Sequence, residues 1–353
     1  MTELIKFGWT DYFARHFVEG NDFTPARVIA EHRSGYQVQT GKSECPARIS
    51  GRLRHQAASQ AELPAVGDWV VAQAPAENAE ATIHRVLPRK SKFSRKVAGG
   101  RTEEQVVASN VDTVWIVSSL DQDFSLRRIE RYLTLAWESG ANPVIVLTKS
   151  DLSDDADRRT LEVESISIGT RVHTTSSVTR DGLSDLRAYF CNHATVALLG
   201  SSGVGKSTLI NALAGASLQQ TAEVREDGKG RHTTTHRQLL RMPSGGLIID
   251  TPGMRELQLW ESPTGLADTF GDIDEFAKDC RFSDCRHAGE PGCAVVDAVS
   301  GGQLAEDRLQ SYQKLQRELA HLERKQDARA QLNEKQRIKS IMKSLRHHPK
   351  YRR

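Results

Sequence analysis

"VIVLTKSDL" occupies residues 144–152 and "LLGSSGVGKSTLIN" residues 198–211. In the second, Gly200-Ser201-Ser202-Gly203-Val204-Gly205-Lys206-Ser207 fits G-x-x-x-x-G-K-[ST]. It follows the apolar run "ATVALLG" and opens the helical "KSTLINALAG", the context a phosphate-binding loop requires. Glycines there let backbone N–H groups wrap phosphates, and the helix N-terminus adds its positive end. The motif predicts that Lys206 reaches the β- and γ-phosphates, that Ser207 coordinates Mg²⁺, and that residues Gly200 to Thr208 line the nucleotide. In the first stretch, Thr148-Lys149-Ser150-Asp151 ends an apolar strand. The Asp151 carboxylate can accept hydrogen bonds from guanine N1–H and the exocyclic amine, a pair that adenine lacks, while the Lys149 stem can pack along the base. "TTSS" (174–177) ends the next strand, where a short loop with Ser176 and Ser177 can buttress the base.

Further along, "IIDTPG" places Asp250 at the end of a strand, three residues before Gly253. An Asp there can hold the Mg²⁺ shell, and a glycine N–H can meet the γ-phosphate and sense hydrolysis. Alternating strands and helices from Val111 onward, with apolar strands, predict an α/β fold with helices covering a mostly parallel sheet. Before it, residues 24–90 hold five short runs: "PARVIAEH", "GYQVQT", "ECPARIS", "GDWVVAQ" and "ATIHRVL". Gly, Pro, Ser and Asn punctuate them, which predicts a small barrel or sandwich. Residues 1–23 form an irregular or helical extension. After the α/β part comes a short Cys-rich segment. Leu304, Tyr312, Leu315, Leu319 and Leu322 then recur at three- and four-residue steps, the mark of a helix with one packed apolar face.

The chain has 353 residues, 26% charged and 38% hydrophobic, enough for two or three domains. No run of about 18 apolar residues exists, so no membrane span is expected. The start lacks a signal-peptide pattern, and a cytoplasmic location is expected. Net charge is only +3, yet two segments carry bases and no acid. One, from His84 to Arg101, holds Arg85, Arg89, Lys90, Lys92, Arg95, Lys96 and Arg101; the other is the tail from Lys335 to Arg353. Such runs suit a polyanion partner; a solvated surface and a loose tail would explain them equally well. Three of the five cysteines crowd together in Cys280-x4-Cys285-x-His287-x5-Cys293. Zn²⁺ takes four such ligands tetrahedrally, and a closed set is structural; a group of free thiols is the alternative. Cys45 and Cys191 read as ordinary packed residues.

The order TKSD, TSS, GSSGVGKST, GRHTTT, DTPG is similar to that of the circularly permuted GTPases. With a β-rich domain before it and a Cys/His knot after it, nearly the whole chain resembles the bacterial family of ribosome-small-subunit-dependent GTPase A (RsgA, also called YjeQ). The resemblance implies an OB-fold, a permuted G domain and a zinc-binding domain, at 24–90, 91–259 and 260–353. It implies zinc held by Cys280, Cys285, His287 and Cys293. It also implies magnesium with GTP, and GTP hydrolysis to GDP during late maturation of the 30S subunit, with 16S rRNA and the 30S particle as partners of a monomer. Thr234 is favoured as the switch threonine closing on Mg²⁺, with Thr233 and Thr235 as alternatives. Met254 stands where Ras-like enzymes carry a water-orienting Gln, so slow intrinsic hydrolysis is expected. Gly203 takes the place of the Asn found in potassium-using relatives, so no potassium site is inferred. Permutation keeps the sheet and moves the chain ends, which places the Gly253 segment directly before the Cys-rich domain, as a lever between domains. A non-enzymatic RNA-binding switch and a P-loop ATPase or kinase are the rival readings; Asp151 argues against the latter.

Overall fold

The computed structural model describes residues 2–18, 20, 22–32, 34–73, 80–96, 104–215, 237–250, 263–322 and 324. Thr233, Thr234, Thr235, Gly253, Met254, Arg101 and the basic tail lie outside the described residues, as do the side chains of Lys96 and Asp250.

Two short helices, α1 (Thr2–Lys6) and α2 (Asp11–His16), precede the barrel. Its strands are β1 (Thr24–His32), β2 (Gly35–Gln39), β3 (Glu44–Ile49), β4 (Trp69–Gln73) and β5 (Ala81–Val86). The helix α3 (Gly51–Gln56) lies between β3 and β4, its Leu53 N–H capped by the Ser50 hydroxyl at 3.1 Å. The pairings run β1-β2-β3-β5-β4 and back to β1, antiparallel except for β3 with β5. That ring is the five-stranded barrel of an OB-fold. Alternation fills it: Val70 and Ala72 of β4 join Val28, Val38 and Ile83 inside, while Trp69 and Val71 turn outward. The outward residues are covered by the N-terminal helices, where Trp9 meets Trp69 edge-on at 4.7 Å between centroids.

The basic run after the barrel is drawn into the structure. Arg89 forms a two-pronged pair with the buried Asp68, at 2.8 and 2.7 Å, and donates to the carbonyls of Ala61 and Leu63. Lys90 lies over the rings of Tyr12 and Phe13, and Arg85 donates to the His16 carbonyl. Lys92 and Arg95 pair with Glu104 and Gln105 across a hairpin of β6 (Lys92–Lys96) and β7 (Glu104–Ser109). Each of these five side chains has a partner within the structure, while Lys90 and Lys92 remain exposed.

The α/β part follows: β8 (Thr113–Ser119), α4 (Leu126–Ser139), β9 (Asn142–Thr148), α5 (Ala156–Ile166), β10 (Arg171–Thr174), α6 (Leu183–Arg187), β11 (Thr195–Leu199), α7 (Lys206–Ala214), β12 (Arg237–Arg241) and β13 (Leu247–Asp250). Its strand order is β10-β9-β8-β11-β13-β12, parallel except for β12. Each central strand feeds two cores. Val114 and Ile116 of β8 face the cluster covered by α4 and α5, and Trp115 and Val117 face the one covered by α6 and α7. Cys45 is buried in the barrel, as expected. Cys191 is exposed, against expectation: the turn at Ala188–His193 leaves helical geometry at that residue and directs it to solvent.

Two junctions join the parts. β12 pairs with the end of β1 (Ala30 with Gln238, Glu31 with Arg237), making one eleven-stranded sheet, and Arg237 closes the seam on Glu31 at 2.6 Å. Earlier on β1 lies Arg27, 1% exposed. Its guanidinium donates to the carbonyls of Phe7, Gly67 (3.2 Å) and Asn110 (3.2 Å) and to the Thr195 hydroxyl (3.0 Å). Burial pushes its pKa down to about 10, so it stays charged at neutral pH. At the other end, α8 (Pro263–Thr269) packs against α4, and α9 (Gly271–Ala277), α10 (Ala294–Ser300) and a helix over 306–322, α11, share the same apolar cluster. Arg308 of α11 donates to Asp272 at 2.7 Å twice, to the Thr269 carbonyl, and to Glu130 of α4 at 2.9 Å. Replacing Arg27 by Ala strands several buried acceptors, so a loss of about 3 kcal/mol or more is expected. Arg27→Lys should rescue little of it, because one ammonium cannot span that fork. Thermal and denaturant unfolding of the two variants checks this.

Candidate functional site

The carboxyl ends of β8, β9, β10 and β11 place their loops on one edge of the sheet, where ligands of open α/β sheets bind. The loop after β11 is shaped by its glycines. A Cβ on Gly200 would lie 2.3 Å from the Val117 carbonyl, and Gly203 and Gly205 hold φ of 80° and 89°, which favour glycine. Val204 plugs the loop into the core beneath. α7 begins at Lys206, with half-buried Ser207 and exposed Thr208 in its first turn. The Lys206 ammonium donates to the Gly200 and Ser201 carbonyls, at 2.8 and 2.5 Å, and so stays over the loop.

The loop after β9 is tied to the first. The Thr148 hydroxyl donates to the Val204 carbonyl at 2.6 Å. Lys149 adopts φ 59° and ψ 38°, and its ammonium meets Asp121 at 2.7 Å. Ser150 and Asp151 form a 3₁₀ turn in which Asp151 is exposed. Ser150 N–H donates to the Thr175 carbonyl at 3.2 Å, bringing in the loop after β10. There the buried Ser176 hydroxyl accepts from the N–H groups of Val178 and Thr179, so it folds its own loop, while Ser177 stays half-exposed. A cleft of about 1000 Å³ opens between these loops, lined on one side by Ser201, Ser202 and Gly203 and on the other by Leu120, Asp121, Gln122, Asp123 and Lys149. Asp151, Ser176 and Ser177 do not line it. The arrangement offers backbone N–H groups and a lysine to an anion, and a carboxylate on the adjoining turn to a base edge.

In the C-terminal part, one ligand atom each from Cys280, Cys285, His287 and Cys293 lies within 4.8 Å of all the others. Cys280 Sγ stands 4.0 Å from Cys293 Sγ and 3.7 Å from His287 Nδ1, and His287 Nδ1 stands 3.4 Å from Cys293 Sγ. A tetrahedron with metal–sulfur bonds of about 2.3 Å has edges of about 3.8 Å, so the four residues fit one metal ion. Three thiols this close cannot all ionise without a cation. At Cys285 the His287 N–H favours ionisation, but burial and the neighbouring thiols push the pKa up to about 12. At Cys280 burial opposes ionisation, yet the N–H groups of Val295 and Ala294 bring the pKa below its ordinary value.

Residues 86–260 match the family model described as RsgA GTPase, and residues 195–333 that of a 50S ribosome-binding GTPase. The chain is 50% identical over 318 residues to "Small ribosomal subunit biogenesis GTPase RsgA 1" of Oceanobacillus iheyensis, covering 90% of this chain and 91% of that one. It is 46% identical to "Small ribosomal subunit biogenesis GTPase RsgA" of Opitutus terrae, covering 97% of each. The chain belongs to the RsgA GTPase family. Among solved structures it resembles YjeQ from Thermotoga maritima, with 30% identity and a TM-score of 0.63, covering 84% of this chain and 99% of that one. It also resembles YloQ, described as a circularly permuted GTPase, with 27% identity and a TM-score of 0.60, covering 86% and 97%. As in other RsgA GTPases, the G domain is permuted, and the chain is a GTP-hydrolysing enzyme.

Two residues that shape these sites were not foreseen. Asp121 lines the cleft just past the end of an apolar strand, a position that could have marked it as Asp151 was marked. Glu290 accepts the N–H groups of Arg286 (3.1 Å) and Ala288 (2.7 Å) and lies 3.7 Å from the Cys285 sulfur. It folds the loop that carries His287, and no spacing rule marks it. His287 itself holds φ 56° and is steadied by Gln313, whose amide donates to its carbonyl at 2.6 Å. Glu290→Ala should therefore weaken metal retention by roughly ten- to hundredfold, the range for partners that orient ligands; competition against a chromogenic chelator measures it.

Proposed function

We propose that this GTPase acts in late maturation of the 30S ribosomal subunit, docking on 16S rRNA and hydrolysing GTP to GDP and phosphate when docked. The observation that carries the nucleotide reading is the Thr148–Val204 hydrogen bond, which fixes the base-reading loop and the phosphate loop as one unit. In this reading residues Gly200 to Thr208 wrap the phosphates, Lys206 holds the β- and γ-oxygens, and Asp151 accepts from the guanine edge, with Lys149, Ser150, Ser176 and Ser177 supporting that turn. Ser207, in the first turn of α7, would hold magnesium together with Asp250 and Thr234. A bound magnesium ion neutralises charge developing on the phosphates. Gly253 would report the γ-phosphate. Cys280, Cys285, His287 and Cys293 would hold one structural zinc ion.

The names of the relatives support the ribosomal assignment. A division at 24–90, 91–259 and 260–353 and a monomeric state belong to the same reading. No helix among the described residues is long and apolar enough to cross a membrane, which is compatible with work on ribosomal particles in the cytoplasm.

Turnover should rise by about 10³-fold or more on adding 30S particles, as when a partner completes a GTPase site, and raised salt should weaken the complex by restoring counterions to rRNA phosphates. Equal turnover with and without 30S would defeat the ribosomal assignment. Asp151→Asn should shift preference from guanine toward xanthine nucleotides, whose C2 oxygen suits the new amide donor. GTP affinity unchanged in that variant, or ATP displacing GTP at equal concentration, would defeat the base-reading role.

A further inference from the structure

Across the cleft from the phosphate loop, the chain leaves β8 through Ser119, Leu120 and Asp121. The Asp121 carboxylate takes three donors: the Lys149 ammonium at 2.7 Å on one oxygen, and the Ser119 hydroxyl at 2.7 Å and the Asp123 N–H at 2.9 Å on the other. Arg159 of α5 fixes the same loop by donating to the Leu120 and Asp121 carbonyls, at 2.7 and 3.0 Å. Lys149 is held at its other end too. Its left-handed backbone is unfavourable for a residue with a Cβ and persists only where the surroundings dictate it. Here Leu120 N–H donates to the Thr148 carbonyl at 2.9 Å and Ser150 N–H to that of Thr175. A lysine in solvent samples many rotamers; this one is stretched between two fixed points along the cleft wall.

We infer that Asp121 is a positioning residue for guanine: by holding the Lys149 ammonium, it presents the lysine stem as a preformed apolar rail against which the base lies. The inference rests on the nucleotide site proposed above. Fixing the rail before binding removes an ordering cost from the complex. The base lies on it equally in GTP and GDP. The contact is therefore uniform through the reaction, and its loss appears in KM and not in kcat. The rail touches the face of the base and not its edge, so it leaves the choice of purine to Asp151.

The test is nucleotide titration and steady-state turnover of the full chain carrying Asp121→Asn, Lys149→Met, both together, or Asp151→Asn. Asp121→Asn keeps the side chain's shape and its bonds from Ser119 and Asp123. It should weaken GDP and GTP alike by about tenfold, equal to 1.4 kcal/mol, raise KM by the same factor at constant kcat, and leave the GDP-to-IDP preference unchanged. Lys149→Met tests the contact from the other side should Asp121→Asn lose its fold. The double variant should bind no more weakly than the worse single one. GDP affinity within about twofold of wild type in Asp121→Asn, with guanine binding lost in Asp151→Asn, would overturn the inference and leave the site standing. A loss from Asp121→Asn that recurs in full on the Lys149→Met background would also overturn it, as would a changed GDP-to-IDP preference. Unchanged guanine binding in Asp151→Asn would remove the site and the inference with it.

Discussion

A buried cation holds this molecule together. Arg27 reaches four segments that are remote in sequence: the N-terminal helices through Phe7, the barrel through Gly67, the connector through Asn110 and the central sheet through Thr195. A bare charge in the interior would be prohibitive; a planar guanidinium with donors in a fixed fork is met here by three backbone carbonyls and one hydroxyl. The neighbourhood is built around it. Trp69 lies beneath the guanidinium, 5.6 Å away. A Cβ on Gly8 would come within 2.7 Å of Nη1, so the N-terminal turn approaches only because that residue is glycine. Asp68, one residue from the Gly67 carbonyl, is itself saturated by Arg89, Ser109 and the Ala65 N–H. The joint between barrel and G domain is thus polar but closed, and the two parts meet in one orientation.

What could be read from the sequence divides along physical lines. The barrel strands and the α/β alternation were legible because their side chains face two environments at the regular spacing of a strand or helix. Residue pairs such as Val70 and Val71 go to opposite cores. The loop between β11 and α7 was legible because its tight backbone demands glycines at fixed spacing. The hairpin of β6 and β7 was not. Only Phe93 marks β6 as apolar, and its Lys92 and Arg95 looked like a free basic patch, because their acceptors, Glu104 and Gln105, lie on the other strand. The helices α8, α9 and α10 have seven residues each, too few to show a helical period. Asp121, Glu290 and Arg308 act through partners at distances that no local pattern encodes. Arg308 and Glu130 are 178 residues apart.

α4 emerges as a shared platform. In its approach loop, Leu120 to Asp123 form one wall of the cleft. Its far face carries Glu130, Arg127 and Arg131, which engage Arg308, Asp307 and Glu318 of α11. Gly265 packs so closely on α4 that a Cβ there would sit 2.6 Å from the Thr134 carbonyl. The Cys/His cluster hangs on this assembly through Tyr312 and Gln313, neighbours of His287. Cleft and cluster are therefore joined by a packed route through α4, besides the chain running through residues 251–262.

The β1–β12 seam also bears on how the chain matures as it is made. Glu31 and Arg237 are separated by 206 residues. The barrel, complete once β5 is synthesised, can close early, since N-terminal domains fold first during synthesis. The end of β1, however, has no partner on its β12 side until most of the G domain has emerged. For that interval it is an open strand edge, the kind of surface that recruits stray strands from other chains. Glu31 at that edge places a charge on it, a common means of discouraging such pairing. Arg237 later neutralises the same group, so one residue can guard the nascent edge and then seal the finished sheet.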